Sequence, residues 1–294
     1  MQVGRVVKLL AGFYYVELSD GKIYECRAKG LFRNTGEKPL VGDMVRILIT
    51  DEKDMEGSVQ EILPRDNELL RPPVANIDRV IIIQSLADPA PRLSLTDKYL
   101  IMIEEKKITP IVAFSKSDLL PDNIVKEEIL DHYKNTGYEI LFYSAKTGEG
   151  IEALKDALRD HVTCVAGPSG AGKSSLINAL CGDDRMETQS ISKKLGRGKQ
   201  TTRHTELIRL DEDTLILDTP GFGTVDLPDI KREELDEFFP EYRDLKYDCR
   251  FAGCSHLSEP DCAVKSAIAS DTLSEGRHAS YAAFYNELAD RRTY

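Results

Sequence analysis

The sequence predicts a multidomain chain: an N-terminal β-barrel, a central α/β domain on a mostly parallel sheet, and a C-terminal helical element. Three observations predict it. Short alternating strands fill the first 68 residues; apolar runs then alternate with helical periods from Asn76 onward; and three of the six cysteines gather beside a histidine near the end.

The segments Val3–Leu9, Phe13–Leu18, Lys22–Arg27 and Met44–Ile49 alternate or are rich in β-branched residues, and Ser-Asp-Gly and Val-Gly-Asp turns separate them. About five strands in this length suit a small closed barrel. Asp66–Pro73 (DNELLRPP) breaks the pattern and reads as a linker. In the central region Val80–Gln84, Ile111–Phe114, Glu139–Tyr143 and Val162–Ala166 read as buried strands. Leu95–Lys107, Asn123–Asn135 and Ile151–Arg159 read as helices between them. Glu206–Leu210 and Thr214–Asp218 are expected to form an antiparallel hairpin at the sheet edge. Beyond Asp226 the chain reads as helical, and Leu273–Tyr294 as a terminal helix with Tyr281, Phe284, Tyr285 and Leu288 on one face. The expected domains are 1–68, 69–225 and 226–294.

Composition narrows the function. Charged residues make up 30% and hydrophobic residues 41%, as in globular proteins, and no apolar run reaches the ~18–20 residues of a membrane span. The N-terminus alternates like a strand, so no signal peptide is read and a cytoplasmic location is expected. A net charge of −11 argues against indiscriminate nucleic-acid binding. Basic character is local, in Lys193-Lys194-Leu195-Gly196-Arg197-Gly198-Lys199 and in the first fifty residues.

Gly167-Pro168-Ser169-Gly170-Ala171-Gly172-Lys173-Ser174 fits GxxxxGK(S/T) between the strand Val162–Ala166 and a helix beginning near Ser175. Glycines let backbone N–H groups converge on phosphates, and the helix N-terminus adds positive potential. Lys173 supplies a cation for the β- and γ-phosphates, and the Ser174 hydroxyl suits Mg²⁺. Ser115-Lys116-Ser117-Asp118 resembles the Asn/Thr-Lys-x-Asp guanine box, with Asp118 accepting from the base. Ser144-Ala145-Lys146 resembles the second guanine box. Both follow strands, where open α/β sheets bind ligands. Ser115 is shorter than asparagine, so part of the bridge from base to phosphate loop is expected to be lost. Asp218-Thr219-Pro220-Gly221 resembles the DxxG box: Asp218 toward Mg²⁺, Gly221 toward the γ-phosphate. Ser190–His204 is a polar, basic, glycine-broken segment in which Thr201 or Thr202 would serve as the switch threonine for Mg²⁺. Phe222 follows Gly221 where many GTPases carry glutamine, so slow intrinsic hydrolysis is expected.

The guanine boxes precede the phosphate loop, which precedes the switches, so the domain is read as a circularly permuted GTPase. Cys249-x4-Cys254-x-His256-x5-Cys262 offers three thiolates and an imidazole, a closed tetrahedral set for one structural Zn²⁺.

The motifs GPSGAGKSSLINAL, GRGKQTTRH, LDTPGF and CRFAGCSHLSEPDCAV, over nearly the whole length, resemble the bacterial ribosome small-subunit-dependent GTPase A family. The resemblance implies an OB-fold barrel, GTP and GDP as ligands, hydrolysis stimulated by the small ribosomal subunit with its rRNA, and a role in late subunit maturation. A monomer with no membrane partner is expected. Gln200 stands where that family often has histidine, and is the candidate for positioning the attacking water. The rival reading is a GTP-dependent switch for a protein unrelated to the ribosome.

Overall fold

A computed structural model describes residues 1–28, 38–70, 72–182, 205–218 and 225–291, without the side chains of Leu70 and Asp218. The described residues fall into two compact units interleaved along the chain. The first comprises Met1–Ile81, Ile151–Ser169 and Lys173–Phe222, and the second Ile82–Gly150, Gly170–Gly172 and Gly223–Tyr294.

In the first unit, β1 (Gln2–Leu10), β2 (Phe13–Leu18), β3 (Ile23–Ala28), β4 (Met44–Asp51) and β5 (Glu56–Ile62) pair in the order β1-β2-β3-β5-β4, and β4 pairs back on β1. That closes a five-stranded barrel with the parallel β3–β5 contact in it. Alternation places Val6, Tyr14, Val16, Leu18, Tyr24, Cys26, Val45, Ile47 and Val59 in one core. The barrel's exit is fixed by a buried ion pair. Asp43, fully buried, accepts two hydrogen bonds from Arg65, at 2.7 and 2.8 Å, and a third from the Leu40 N–H. Such bidentate pairing suits guanidinium on carboxylate.

The described residues of the expected linker include strand pairing. β6 (Glu68–Leu70) pairs with β7 (Pro73–Ala75), and the Asn67 amide exchanges two hydrogen bonds with the Ile77 backbone. The side chain there replaces a backbone partner that composition does not reveal.

β8 (Arg79–Ser85) begins in the first unit and continues into the second. In the first unit β11 (Val162–Ala166) pairs in parallel with β13 (Leu215–Asp218), and β12 (Glu206–Arg209) pairs antiparallel with β13. The hairpin is not at an edge. β12 also pairs with β1, Lys8 opposite Glu206, with their side chains bridged at 3.0 Å. Arg209 adds a bridge to Glu17 at 2.8 Å. An exposed strand edge is thereby covered by the barrel's first strand. Helices α3 (Ile151–Leu158) and α4 (Lys173–Cys181) bury Ile151, Leu154, Ala157 and Leu158, and Leu176, Ile177 and Leu180.

In the second unit β9 (Thr109–Ser115) neighbours β8 in the sheet and pairs in parallel with β10 (Glu139–Phe142), with α1 (Leu93–Glu105) and α2 (Ile124–His132). From Arg232 to Asp248 the helical stretch consists of short 3-10 helices, and Leu235, Phe239 and Tyr242 on them share one core. The helices α5 (Ala263–Ala269) and α6 (Glu275–Arg291) follow. α6 buries Arg277, Ser280, Tyr281, Phe284 and Leu288; Tyr285 is only partly buried. Arg277, 1% exposed, bonds Asp97 of α1 at 2.7 Å and Glu241 at 2.9 Å, and His132 of α2 closes on Asp97 at 2.9 Å. The guanidinium also lies over the Phe239 ring, 4.3 Å from its centroid.

Candidate functional site

The phosphate loop follows β11 without a gap, and α4 begins at Lys173. Gly167, Gly170 and Gly172 all adopt positive φ, the conformation that lets successive N–H groups face one ligand. The Lys173 ammonium donates to the carbonyls of Gly167 at 2.8 Å and Pro168 at 2.7 Å. It is therefore folded over the loop. Ser169, Ser174 and Ser175 are exposed, the last two on the first turn of α4, where hydroxyls can face an anion or its metal.

The guanine boxes sit at the carboxyl ends of β9 and β10. Ser115, 3% exposed, donates to the phosphate-loop carbonyl of Ala171 at 2.6 Å. Serine thus reaches the phosphate-loop side of the bridge. That reach is possible because Gly172 has no side chain: a Cβ there would lie 3.2 Å from Ser115 Oγ. Lys116 adopts φ of 64° and donates to the Asp88 carbonyl, which fixes the direction of its stem. Ser117 donates to Glu149 at 2.9 Å, and its N–H to the Tyr143 carbonyl. Asp118 is half-buried and its carboxylate pairs with no described residue, which leaves it open to a donor.

The Ser144 hydroxyl accepts from the N–H groups of Lys146 and Thr147, at 3.3 and 3.2 Å, which orders the Ala145–Lys146 turn. Gly150 closes that turn. A Cβ there would fall 2.2 Å from the Phe142 carbonyl, and its φ is +73°, so the position excludes other residues. The loop after β8 was not flagged by any motif. Yet Asp88 holds Lys116, and Pro89 lies 3.7 Å from where a Gly170 side chain would begin. Its place at the carboxyl end of a buried strand was the available signal.

Asp218 ends β13, opposite Glu206. Gln200, Thr201, Thr202 and Gly221 lie outside the described residues, as do His204 and Phe222.

The ligand atoms of Cys249, Cys254, His256 and Cys262 all lie within 4.8 Å of one another. A tetrahedral zinc ion with ordinary bond lengths sets edges of about 3.8 Å between sulfurs and about 3.6 Å between sulfur and nitrogen. The Cys249–Cys262 sulfurs are 3.9 Å apart, and His256 Nδ1 lies 3.6 and 3.4 Å from them. The residues fit a tetrahedral ion. The opposite ring nitrogen, His256 Nε2, is buried without a hydrogen bond, 3.9 Å from Asp236. A carboxylate behind a ligating imidazole is the usual support for one. Burial pushes the Asp236 carboxyl up, but His256 and Lys246 outweigh it and hold it below its ordinary value. Glu259 ties the knuckle together by accepting from the Ser255 hydroxyl and N–H and from the N–H groups of Leu257 and Ser258; its carboxyl is held down to about 2, first by the Ser255 hydroxyl.

Residues 62–228 match the RsgA GTPase family and residues 3–58 the RsgA N-terminal domain. The chain belongs to the RsgA GTPase family. It is accordingly a GTP-hydrolysing enzyme, and GTPases of this kind use Mg²⁺ with the nucleotide. An RsgA of Agathobacter rectalis, named a small ribosomal subunit biogenesis GTPase, is 44% identical over 99% of both chains. The RsgA of Geobacillus kaustophilus, named likewise, is 44% identical over 99% of both. Among solved structures, YjeQ from Thermotoga maritima aligns with a TM-score of 0.82 at 33% identity, over 98% of each chain. YloQ, described as a circularly permuted GTPase, aligns at 0.79 and 35% identity, over 99% of this chain and 96% of that one.

Proposed function

We propose that this GTPase binds the small ribosomal subunit, including its rRNA, and couples GTP hydrolysis to late maturation of that subunit in the cytoplasm. The observation that carries the reading is full-length similarity: the relatives named for small-subunit biogenesis match barrel, GTPase and Cys/His element together. A switch for an unrelated protein partner gains no support from those relatives. The domains proposed are residues 1–68 for the OB barrel, 69–225 for the permuted GTPase and 226–294 for the zinc element, in a monomer.

The proposed roles follow the sequence motifs, with geometry behind those of the phosphate loop, Ser115–Asp118 and Ser144–Lys146. Gly167 to Gly172 cradle the phosphates through their N–H groups, and Lys173 neutralises charge developing on the β- and γ-oxygens. Asp118 accepts from the base, Lys116 packs along it, and the Ala145 N–H meets the carbonyl of guanine. Ser174, Asp218 and one of Thr201 or Thr202 hold Mg²⁺, which supplies electrostatic stabilisation of the transferring phosphoryl group. Gly221 senses the γ-phosphate, and Gln200 orients the water.

The test is GTP turnover with and without purified small subunits, ATP serving as control. Strong stimulation confined to GTP is expected; equal rates with and without subunits would reject the ribosome as activator.

The Cys/His element is proposed to hold one structural Zn²⁺, since four protein ligands leave no position for a reacting water. Chelation is expected to make Cys249, Cys254 and Cys262 newly reactive to a thiol reagent, while Cys26 and Cys164, both fully buried elsewhere, stay protected. GDP binding should survive. No change in thiol count on chelation would remove the metal from the account.

A further inference from the structure

Beneath the guanine box lies a polar group for which the roles above give no use. Tyr143, the residue before Ser144, is fully buried, and its hydroxyl has no hydrogen-bond partner of ordinary geometry among the described residues. A buried phenol left so is costly unless it serves a neighbour. Its backbone is gripped on both sides of the box: its N–H donates to the Phe114 carbonyl at 2.9 Å, and its carbonyl accepts from Ser117 at 3.1 Å. Two hydroxyls converge on the space left by the missing Gly172 side chain. A Cβ there would lie 3.2 Å from Ser115 Oγ and 3.8 Å from the Tyr143 oxygen. Burial pushes the phenol's pKa well up, so the hydroxyl keeps its proton and is available as a donor.

We propose that Tyr143 is a positioning residue for the guanine nucleotide, acting through Ser115 on the phosphate loop. The phenol donates to Ser115 Oγ, and Ser115 donates to the Ala171 carbonyl. That carbonyl and the Gly172 N–H belong to one planar peptide unit. Holding the oxygen therefore aims the N–H, on the opposite side, toward the phosphates. An asparagine at position 115 would span the distance alone; the shorter serine spans it with help from behind. A chain of hydroxyls also strengthens each bond in it.

The inference rests on the guanine-nucleotide reading, and one comparison separates the two. Release of fluorescent GDP is measured from the parent chain, Tyr143→Phe, Ser115→Ala and the double variant, with thermal unfolding followed alongside. A parent that does not bind GDP defeats the site reading itself. With a binding parent, Y143F should release GDP about fivefold faster, the worth of one net hydrogen bond, with its unfolding midpoint unchanged. In the S115A background Y143F should add nothing, an outcome that a purely structural role for the phenol would not give. Unchanged release from Y143F, or an effect that adds fully to that of S115A, overturns the proposal. Should Y143F fail to fold, Ser115→Asn reads the same geometry. The longer amide meets the phenol, so S115N should weaken GDP binding and S115N with Tyr143→Ser should restore it; no recovery overturns the proposal.

Discussion

Lys173→Ala is expected to lower GTP turnover at least about a hundredfold, the scale on which enzymes lose rate when one electrostatic contact to the transition state is removed. Phosphoryl transfer leaves the protein little covalent chemistry to perform, so rate depends on charge placed where charge develops. The Lys173 ammonium is the cation proposed for the phosphate loop, and it is turned inward on the carbonyls of Gly167 and Pro168. Its loss should leave the fold intact, because the residue opens α4 at a half-buried position and the helix is held by Leu176, Ile177 and Leu180. Stopped turnover with an unchanged thermal midpoint is the expected pair of results. Turnover at the parent rate would sink the assignment of the loop.

Arg277→Met is expected to be the most destabilising single change in the second unit, by about 3–5 kcal/mol, with a midpoint lowered by roughly 10 °C. The guanidinium is buried against two buried carboxylates, those of Asp97 and Glu241. Methionine fills much of the volume but leaves both acids without their counter-charge, and an uncompensated buried charge costs far more than the intact pair contributes. Thermal unfolding with nucleotide and metal held constant is the measurement. A midpoint within experimental scatter of the parent would show that the acids find other partners. Since Asp97 lies on α1 and Arg277 on α6, the loss should loosen the hold of the last helix on α1 and on Glu241 together.

The contrast between those two residues shows what a sequence exposes. Lys173 was legible because its chemistry is local: loop, lysine and serine are consecutive, and spacing alone carries the argument. The barrel strands were legible for the same reason, since alternation of buried side chains is a property of neighbours in the chain. The cysteine cluster closes within one short stretch as well. Arg277 and Asp97 are 180 positions apart, and a charged residue in a helix reads as solvent-facing until its partner is known. Asn67 and Ile77 escaped notice because a side-chain amide standing in for a strand leaves no periodic trace. That serine at position 115 reaches the Ala171 carbonyl was not legible either, because the room for it comes from Gly172, whose contribution is an absent atom.

The pairing of β12 with β1 has a mechanical consequence. Glu206 stands opposite both Lys8 and Asp218, so the barrel's first strand meets, at one residue pair, a ladder whose near end joins the two segments proposed to sense the γ-phosphate. A strand cannot creep along its neighbour by one residue without turning every side chain to the wrong face. The β12–β13 ladder therefore has no slack to absorb a pull, and the Lys8–Glu206 pair is the point at which its displacement meets the barrel.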